Sequence, residues 1–273
     1  MKQKTIGIIS LGLIGGSILK TLSKTDNKII AVTRNKTAIK NAKKYTKYVS
    51  DKINSLKDCD IVFVCSPMNK TLDILKSLEG ILNPQTIVTD VCSLKEFVMK
   101  EEFSFKFIGS HPMAGTENNG FSASFEELFK DAKWVITPKE NTLKKDINAL
   151  SKIIKLTGAK VITTTPKEHD EAVALISHMP MLIAQALMKT ALPNDLAIKL
   201  ASSGFRDMTR LALSNTEMAE DMIKMNHQNI SKSLISLIES SRELLNDDYK
   251  KQIESIKDFR LGMYNKNGKN ISN

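Results

Sequence analysis

Short β-branched runs alternate with amphipathic, helix-length stretches through the first half of the chain. Runs at 5–10, 28–33, 60–65, 86–91, 106–110, 134–137 and 161–164 read as strands. Between the first four lie segments 13–23, 36–44 and 71–82, whose apolar spacing is nearer helical. Strand and helix in alternation predict a parallel sheet with covering helices. After Pro166 almost nothing reads as strand. Segments 168–192, 195–213 and 217–246 are helix-length, with apolar residues three and four apart such as Ile230, Leu234, Leu237 and Ile238. Pro193, Gly204 and Asn215 punctuate them, and a polar Asn/Lys-rich tail from Asn265 is expected to fray. The fold class expected is α/β: a doubly wound sheet over 1–165, then an all-helical domain over 166–273.

Composition supports this and narrows the function. The chain has 273 residues, 41% apolar and 26% charged, which is globular composition with material for two modest domains. Lys and Arg outnumber Asp and Glu by 40 to 30, yet only five of those cations are Arg and the Lys are scattered. Nucleic-acid readers favour clustered Arg forks, so the charge reads as a solvated Lys surface and no nucleic-acid partner is expected. Three cysteines, Cys59, Cys65 and Cys92, form no CxxC pair and argue against a disulfide framework or a zinc site. The most apolar stretch, 172–188, is interrupted by Ser177, His178, Pro180 and Gln185, and reads as a buried helix rather than a membrane span. The N-terminal apolar segment is short and glycine-rich, unlike a signal peptide, so a cytoplasmic protein is expected.

The first strand runs into Ser10-Leu11-Gly12-Leu13-Ile14-Gly15-Gly16-Ser17, which opens a helix. A dinucleotide pyrophosphate needs a turn with no Cβ in its path and free amides at a helix N-terminus. Gly12 and Gly15 supply the last two glycines of GxGxxG, with Leu13 and Ile14 between them, in the strand-turn-helix context of a Rossmann-type domain. Ser10 replaces the first glycine, which allows a slightly different turn. The second strand ends Thr33-Arg34-Asn35, with no acid between Lys28 and Asp51. An acid there would bind the ribose of NAD, whereas an Arg suits the 2′-phosphate of NADP, so NADP is the preferred cofactor and NAD the alternative.

Later strands end in Cys65-Ser66-Pro67 and Asp90-Val91-Cys92-Ser93-Leu94-Lys95, termini that line the nicotinamide half of such a cleft. Ser93 has two roles open to it, a hydroxyl toward the substrate or an N-cap on a helix opening at Leu94. The next strand delivers Ser110-His111-Pro112-Met113-Ala114-Gly115-Thr116-Glu117. An imidazole held at a strand end titrates in the range that suits accepting a hydroxyl proton as hydride leaves the adjacent carbon.

Ser-His-Pro-Met-Ala-Gly-Thr, the upstream Asp-Val-x-Ser-x-Lys, Ser177-His178-Met179-Pro180 and Ser203-Gly204-Phe205-Arg206-Asp207-Met208-Thr209-Arg210 together resemble the prephenate/arogenate dehydrogenase family of tyrosine biosynthesis, over about residues 4 to 245. The resemblance implies an NAD(P)-dependent oxidative decarboxylation of a cyclohexadienyl acid, with His111 taking the proton of the ring hydroxyl and Ser93 beside it. It implies that Arg210 binds the side-chain carboxylate, with Arg206, Ser177 and His178 as further ligands and Glu117 and Asp207 as a polar pair at the pocket. A bidentate guanidinium suits a carboxylate plane. His169-Asp170 also fits the family, read first as a helix start or hinge. Met181 stands where some relatives carry a third His, and Ala219 where some carry a Trp, which leaves prephenate and arogenate both open. The family further implies a homodimer through the helical domain. No chorismate mutase segment before residue 4 and no regulatory βαββαβ module after 250 are seen, so feedback through an appended domain is not expected. A Rossmann-type dehydrogenase of another small β-hydroxy acid and a non-enzymatic NADP-binding sensor are the alternatives.

Overall fold

The computed structural model describes residues 3–116, 118–246 and 249–264. The strands are β1 (Thr5–Ile9), β2 (Lys28–Val32), β3 (Tyr48–Ser50), β4 (Ile61–Val64), β5 (Ile87–Asp90), β6 (Lys106–Phe107), β7 (Gly109–Pro112), β8 (Lys133–Thr137) and β9 (Lys160–Thr163). The helices are α1 (Leu13–Leu22), α2 (Lys36–Ala42), α3 (Met68–Ser77), α4 (Glu96–Met99), α5 (Lys144–Lys155), α6 (Pro166–Val173), α7 (Met179–Ala191), α8 (Asp195–Leu200), α9 (Ser203–Thr209), α10 (Thr216–Met225), α11 (His227–Asn246) and α12 (Tyr249–Met263). The chain forms two compact units, Met1–His227 and Gln228–Asn273, and the change of pattern at 165 falls inside the first.

Six parallel strands run in the order β3-β2-β1-β4-β5-β6. Both faces are covered, as the continuous apolar runs require. On β4, Ile61 and Phe63 join one buried cluster with Ile6, Ile8 and Ile18, while Val62 and Val64 join another with Leu75, Val88 and Val98. The stretch read as one strand at 106–110 divides. Lys106 and Phe107 pair with β5, whereas Gly109 to Pro112 leave for a second sheet in which β7 pairs antiparallel with β8, and β8 pairs parallel with β9. A mixed second sheet therefore replaces part of the all-parallel arrangement expected.

Pro166 to Ala191 form one continuous helical path, with a π turn over Ala174–His178 between α6 and α7. Pro180 has no N–H for the carbonyl four residues back, which favours a wider turn just before it. Contrary to the sequence reading, this path is long and apolar enough to cross a membrane, with a mean hydropathy of 1.4 over eighteen residues. Ser177, His178, Pro180 and Gln185 interrupt it without adding full charge. Only 33% of that window is buried, and of the polar residues along the path His169, Asp170 and His178 face inward.

Candidate active site

The glycine turn leaves β1 and enters α1. Ser10 adopts φ 67°, the left-handed region that a glycine would occupy without strain. A serine thus takes the left-handed conformation at the first position of the motif. Ser10→Gly relieves about 1–2 kcal/mol of backbone strain and gives back about 0.5–1 through the freer unfolded chain. A net gain of up to about 1.5 kcal/mol, a rise of a few degrees in a thermal melt, is the expected result. Gly15 has no room for a side chain, since a Cβ would lie 2.1 Å from the Ser10 carbonyl oxygen. Gly12 is the reverse case: its φ is an ordinary −90°, and a Cβ would meet nothing within 4 Å. A glycine that neither backbone nor packing requires keeps space open, as close approach of a pyrophosphate demands. α1 has no side-chain cap and no acid in its first turn, so the amides and dipole of Leu13, Ile14 and Gly15 favour an anion. The turn fits a dinucleotide.

Ser10 N–H donates to the Val32 carbonyl, which sets the end of β2 beside this turn. Thr33 is buried, Arg34 is exposed, and Asn35 caps α2 by accepting from Ala38 N–H at 3.0 Å. Arg34 is therefore the residue of the three with a side chain free to meet an anion. Cys65 is partly buried, its Cβ 3.1 Å from where a Gly15 Cβ would stand, and burial pushes its thiol and that of Cys92 well up. The Ser66 hydroxyl, expected to face the ligand, instead sits inside, 2.9 Å from Thr71 Oγ1.

The ends of β5 and β7 are locked together by a buried ion pair. Asp90 and Lys95 are both fully buried and bonded through Oδ2 and Nζ. Lys95 Nζ also donates to the Ser110 carbonyl at 2.7 Å, and Asp90 Oδ1 accepts from Ser110 N–H at 3.1 Å. The Ser110 hydroxyl bonds the Asp90 carbonyl and accepts from Trp134 Nε1 at 3.0 Å. This clamp fixes the backbone that carries Ser93 and His111. Ser93 does not cap a helix. α4 starts at Glu96, and its first amides, Lys95 N and Glu96 N, are capped at 2.8 and 2.9 Å by the carboxylate of Asp170, 75 positions after Lys95. Ser93 Oγ instead faces Met68 Sδ at 3.9 Å.

Asp170 does more than cap. Its Oδ1 lies 2.7 Å from His169 Nδ1, and His169 Nε2 lies 2.9 Å from His111 Nδ1, the two rings edge to face. A carboxylate only accepts, so His169 carries its proton on Nδ1 and, when neutral, offers Nε2 as an acceptor. His111 must then donate from Nδ1. Its Nε2 is left as a bare lone pair, the form that takes a proton. Burial, then His169, Lys95 and His178, hold the His111 imidazole well below its ordinary pKa and so keep that lone pair available. His178, on the π turn, is fully buried and held at about 4 by burial, with Asp170 opposing and His169 adding to the effect.

Met68, Cys92, Leu94, Val173, Met181, Ala219 and Met222 form a buried apolar seam against which Met113 and Leu211 pack. Met113 follows His111 by two positions and Leu211 follows Arg210, so the seam connects the strand ends to the helices that carry the anion-binding candidates. Arg210 is exposed, with no hydrogen bond or ion pair among the described residues. Ser177 is partly buried on the π turn. Arg206 and Asp207 bond to each other at 3.2 Å on the exposed side of α9 and are not drawn into the histidine cluster. Glu117 lies outside the described residues, as does the tail from Asn265. No group that could hold a metal is present among the described residues.

Two family models match consecutive parts of the chain: prephenate dehydrogenase, nucleotide-binding domain, over residues 18–163, and prephenate dehydrogenase, dimerization domain, over residues 165–258. The chain belongs to the prephenate dehydrogenase family. It is 31% identical to prephenate dehydrogenase of Bacillus subtilis over 244 residues, covering 84% of this chain and 66% of that protein, just short of two thirds of its length. Among solved structures it is similar to arogenate dehydrogenase of Synechocystis, at 32% identity with TM-score 0.80, covering 93% of this chain and 95% of that one. Prephenate dehydrogenase of Aquifex aeolicus, in complex with hydroxyphenyl propionate and NAD+, matches at 28% identity and TM-score 0.84, covering 96% and 97%. Family membership accords with the motifs quoted above. The His169–Asp170 pair and Asn226 escaped the sequence reading as site residues. The available signals were the fit of His169-Asp170 to the family and its place near the start of a helix opened by the capping box of Thr165 and Glu168.

Proposed function

We propose that this protein oxidises and decarboxylates a cyclohexadienyl acid, prephenate or arogenate, with NADP+ preferred over NAD+. The observation that carries the reading is the chain Asp170–His169–His111, which leaves His111 a neutral base with its acceptor nitrogen free. Gly12, Leu13, Ile14, Gly15, Thr33 and Arg34 would hold the dinucleotide, which when bound supplies the acceptor for the hydride of the carbon bearing the hydroxyl. His111 Nε2 takes the proton of that hydroxyl as the carbonyl forms. His169 and Asp170 stabilise the imidazolium that results. Loss of the ring carboxylate as carbon dioxide leaves its electron pair in the ring, which becomes aromatic, and His111 returns the proton to the phenolate oxygen. Aromatisation supplies the drive. The residues of the chain position the ring, exclude water and bind its anions.

Arg210, with its guanidinium uncommitted, would bind the side-chain carboxylate. Arg210→Ala is expected to raise KM about 10- to 100-fold, the worth of a charge-assisted pair, with a smaller change in kcat. Arg34, and the lack of an acid between Lys28 and Asp51, support NADP+. Exposed Leu175, Ile176, Leu192 and Leu200, together with the dimerization-domain match over 165–258, support a homodimer. The decisive assay crosses each acid with each cofactor and follows formation of reduced nicotinamide. No turnover in any combination sinks the reading, and a strong preference for NAD+ removes its NADP+ part.

A further inference from the structure

Apart from the chain that ends at His111, one imidazole atom of the site has nothing to bond: Nε2 of the fully buried His178. The other nitrogen of that ring, Nδ1, lies 3.2 Å from the side-chain amide nitrogen of Asn226, which is itself buried at the end of α10. The same amide nitrogen donates to the Asp170 carbonyl at 2.9 Å. A carbonyl can only accept, so this second bond fixes which way the amide points. His178 Nδ1 is therefore an acceptor, and the single proton of a neutral ring sits on Nε2. A buried N–H without an acceptor is costly, and such groups in folded proteins call for a reason.

We propose that Asn226 is a positioning residue that holds His178 as the Nε2–H tautomer, so that His178 donates a hydrogen bond to an oxygen of the bound acid. The proposal rests on the dehydrogenase reading above and adds to it the polarity of the second imidazole. The two rings then work in opposite senses: His111 accepts at Nε2, and His178 donates from Nε2. An amide suits the position because it donates to Nδ1 and stays uncharged. An aspartate there would accept from Nδ1–H instead and turn a bare Nε2 lone pair toward an oxygen that needs a donor. The depressed pKa of His178 agrees, since a neutral ring has only one proton to place.

The test uses the full chain with ¹⁵N-labelled histidine. In the native protein, imidazole NMR should show His178 protonated on Nε2 and bare on Nδ1. Asn226→Gln, which keeps a donor, should preserve that signature, whereas Asn226→Asp should move the proton to Nδ1. Adding hydroxyphenyl propionate with NAD+ should shift the Nε2–H resonance in the native protein, and KM for the acid should rise about tenfold in Asn226→Asp. A native His178 protonated on Nδ1 overturns the tautomer assignment, whether or not either variant folds. An Nε2–H resonance unmoved by the bound probe, or a native KM in a variant whose proton has moved, overturns the donor role. Lack of turnover with both acids alongside the expected NMR signature and probe shift counts against the dehydrogenase reading alone.

Discussion

His111→Asn lowers kcat by about 10²- to 10⁴-fold, with a much smaller effect on KM. The size follows from the task. Without the lone pair at Nε2 the ring hydroxyl must give its proton to water as the carbonyl forms, while cofactor and carboxylate binding survive. The native enzyme should also carry a pH signature. A base held well below the ordinary imidazole range stays neutral as the medium is acidified, so the acid limb of log(kcat/KM) should fall below pH ~6.5, the value of an unperturbed histidine. In His111→Asn that limb should vanish from the residual rate. Steady-state kinetics across pH check both points, and a variant that turns over at the native rate removes His111 from the chemistry.

Lys95→Met destabilises the fold by about 3–5 kcal/mol, because it leaves the Asp90 carboxylate buried without its cation. Both members of the pair are fully buried, so solvent cannot take the place of the lost partner. In a thermal melt the loss should appear as a fall on the order of 10 °C. Lys95→Met combined with Asp90→Asn should fall by less than the sum of the two single changes, since the second change removes the charge that the first strands. A Lys95→Met protein melting within about 2 °C of native would show that the clamp contributes little to stability. The variant has a second readout in any fraction that stays folded. The Lys95 ammonium is one of the groups that disfavour protonation of His111, so its removal should move the acid limb of the rate profile to higher pH.

Periodicity made the alternating half of the fold legible, because strands buried on both faces, such as Ile61–Val64, leave continuous apolar runs. It failed where the cause is not local. Tyr48–Ser50 is three residues long and is a strand because β2 offers it an edge, and the departure of Gly109 from the parallel sheet depends on β8, more than twenty positions on. The site divides in the same way. Gly12, Gly15 and His111 stand in short motifs that can be read locally. The tautomer of His111 cannot, because it is set by His169, 58 positions later, and by the carboxylate next to it. Of the two roles the sequence leaves open for Ser93, the cap goes instead to a distant aspartate.

That aspartate ties assembly to reactivity. Asp170 grips two amides at the start of α4 with the same carboxylate that orients His169, so the proton arrangement downstream exists only once α6 has docked. A molecule caught half-assembled would not hold a weaker catalyst in the right form. Its ring at position 111 would be free to sit in either tautomer.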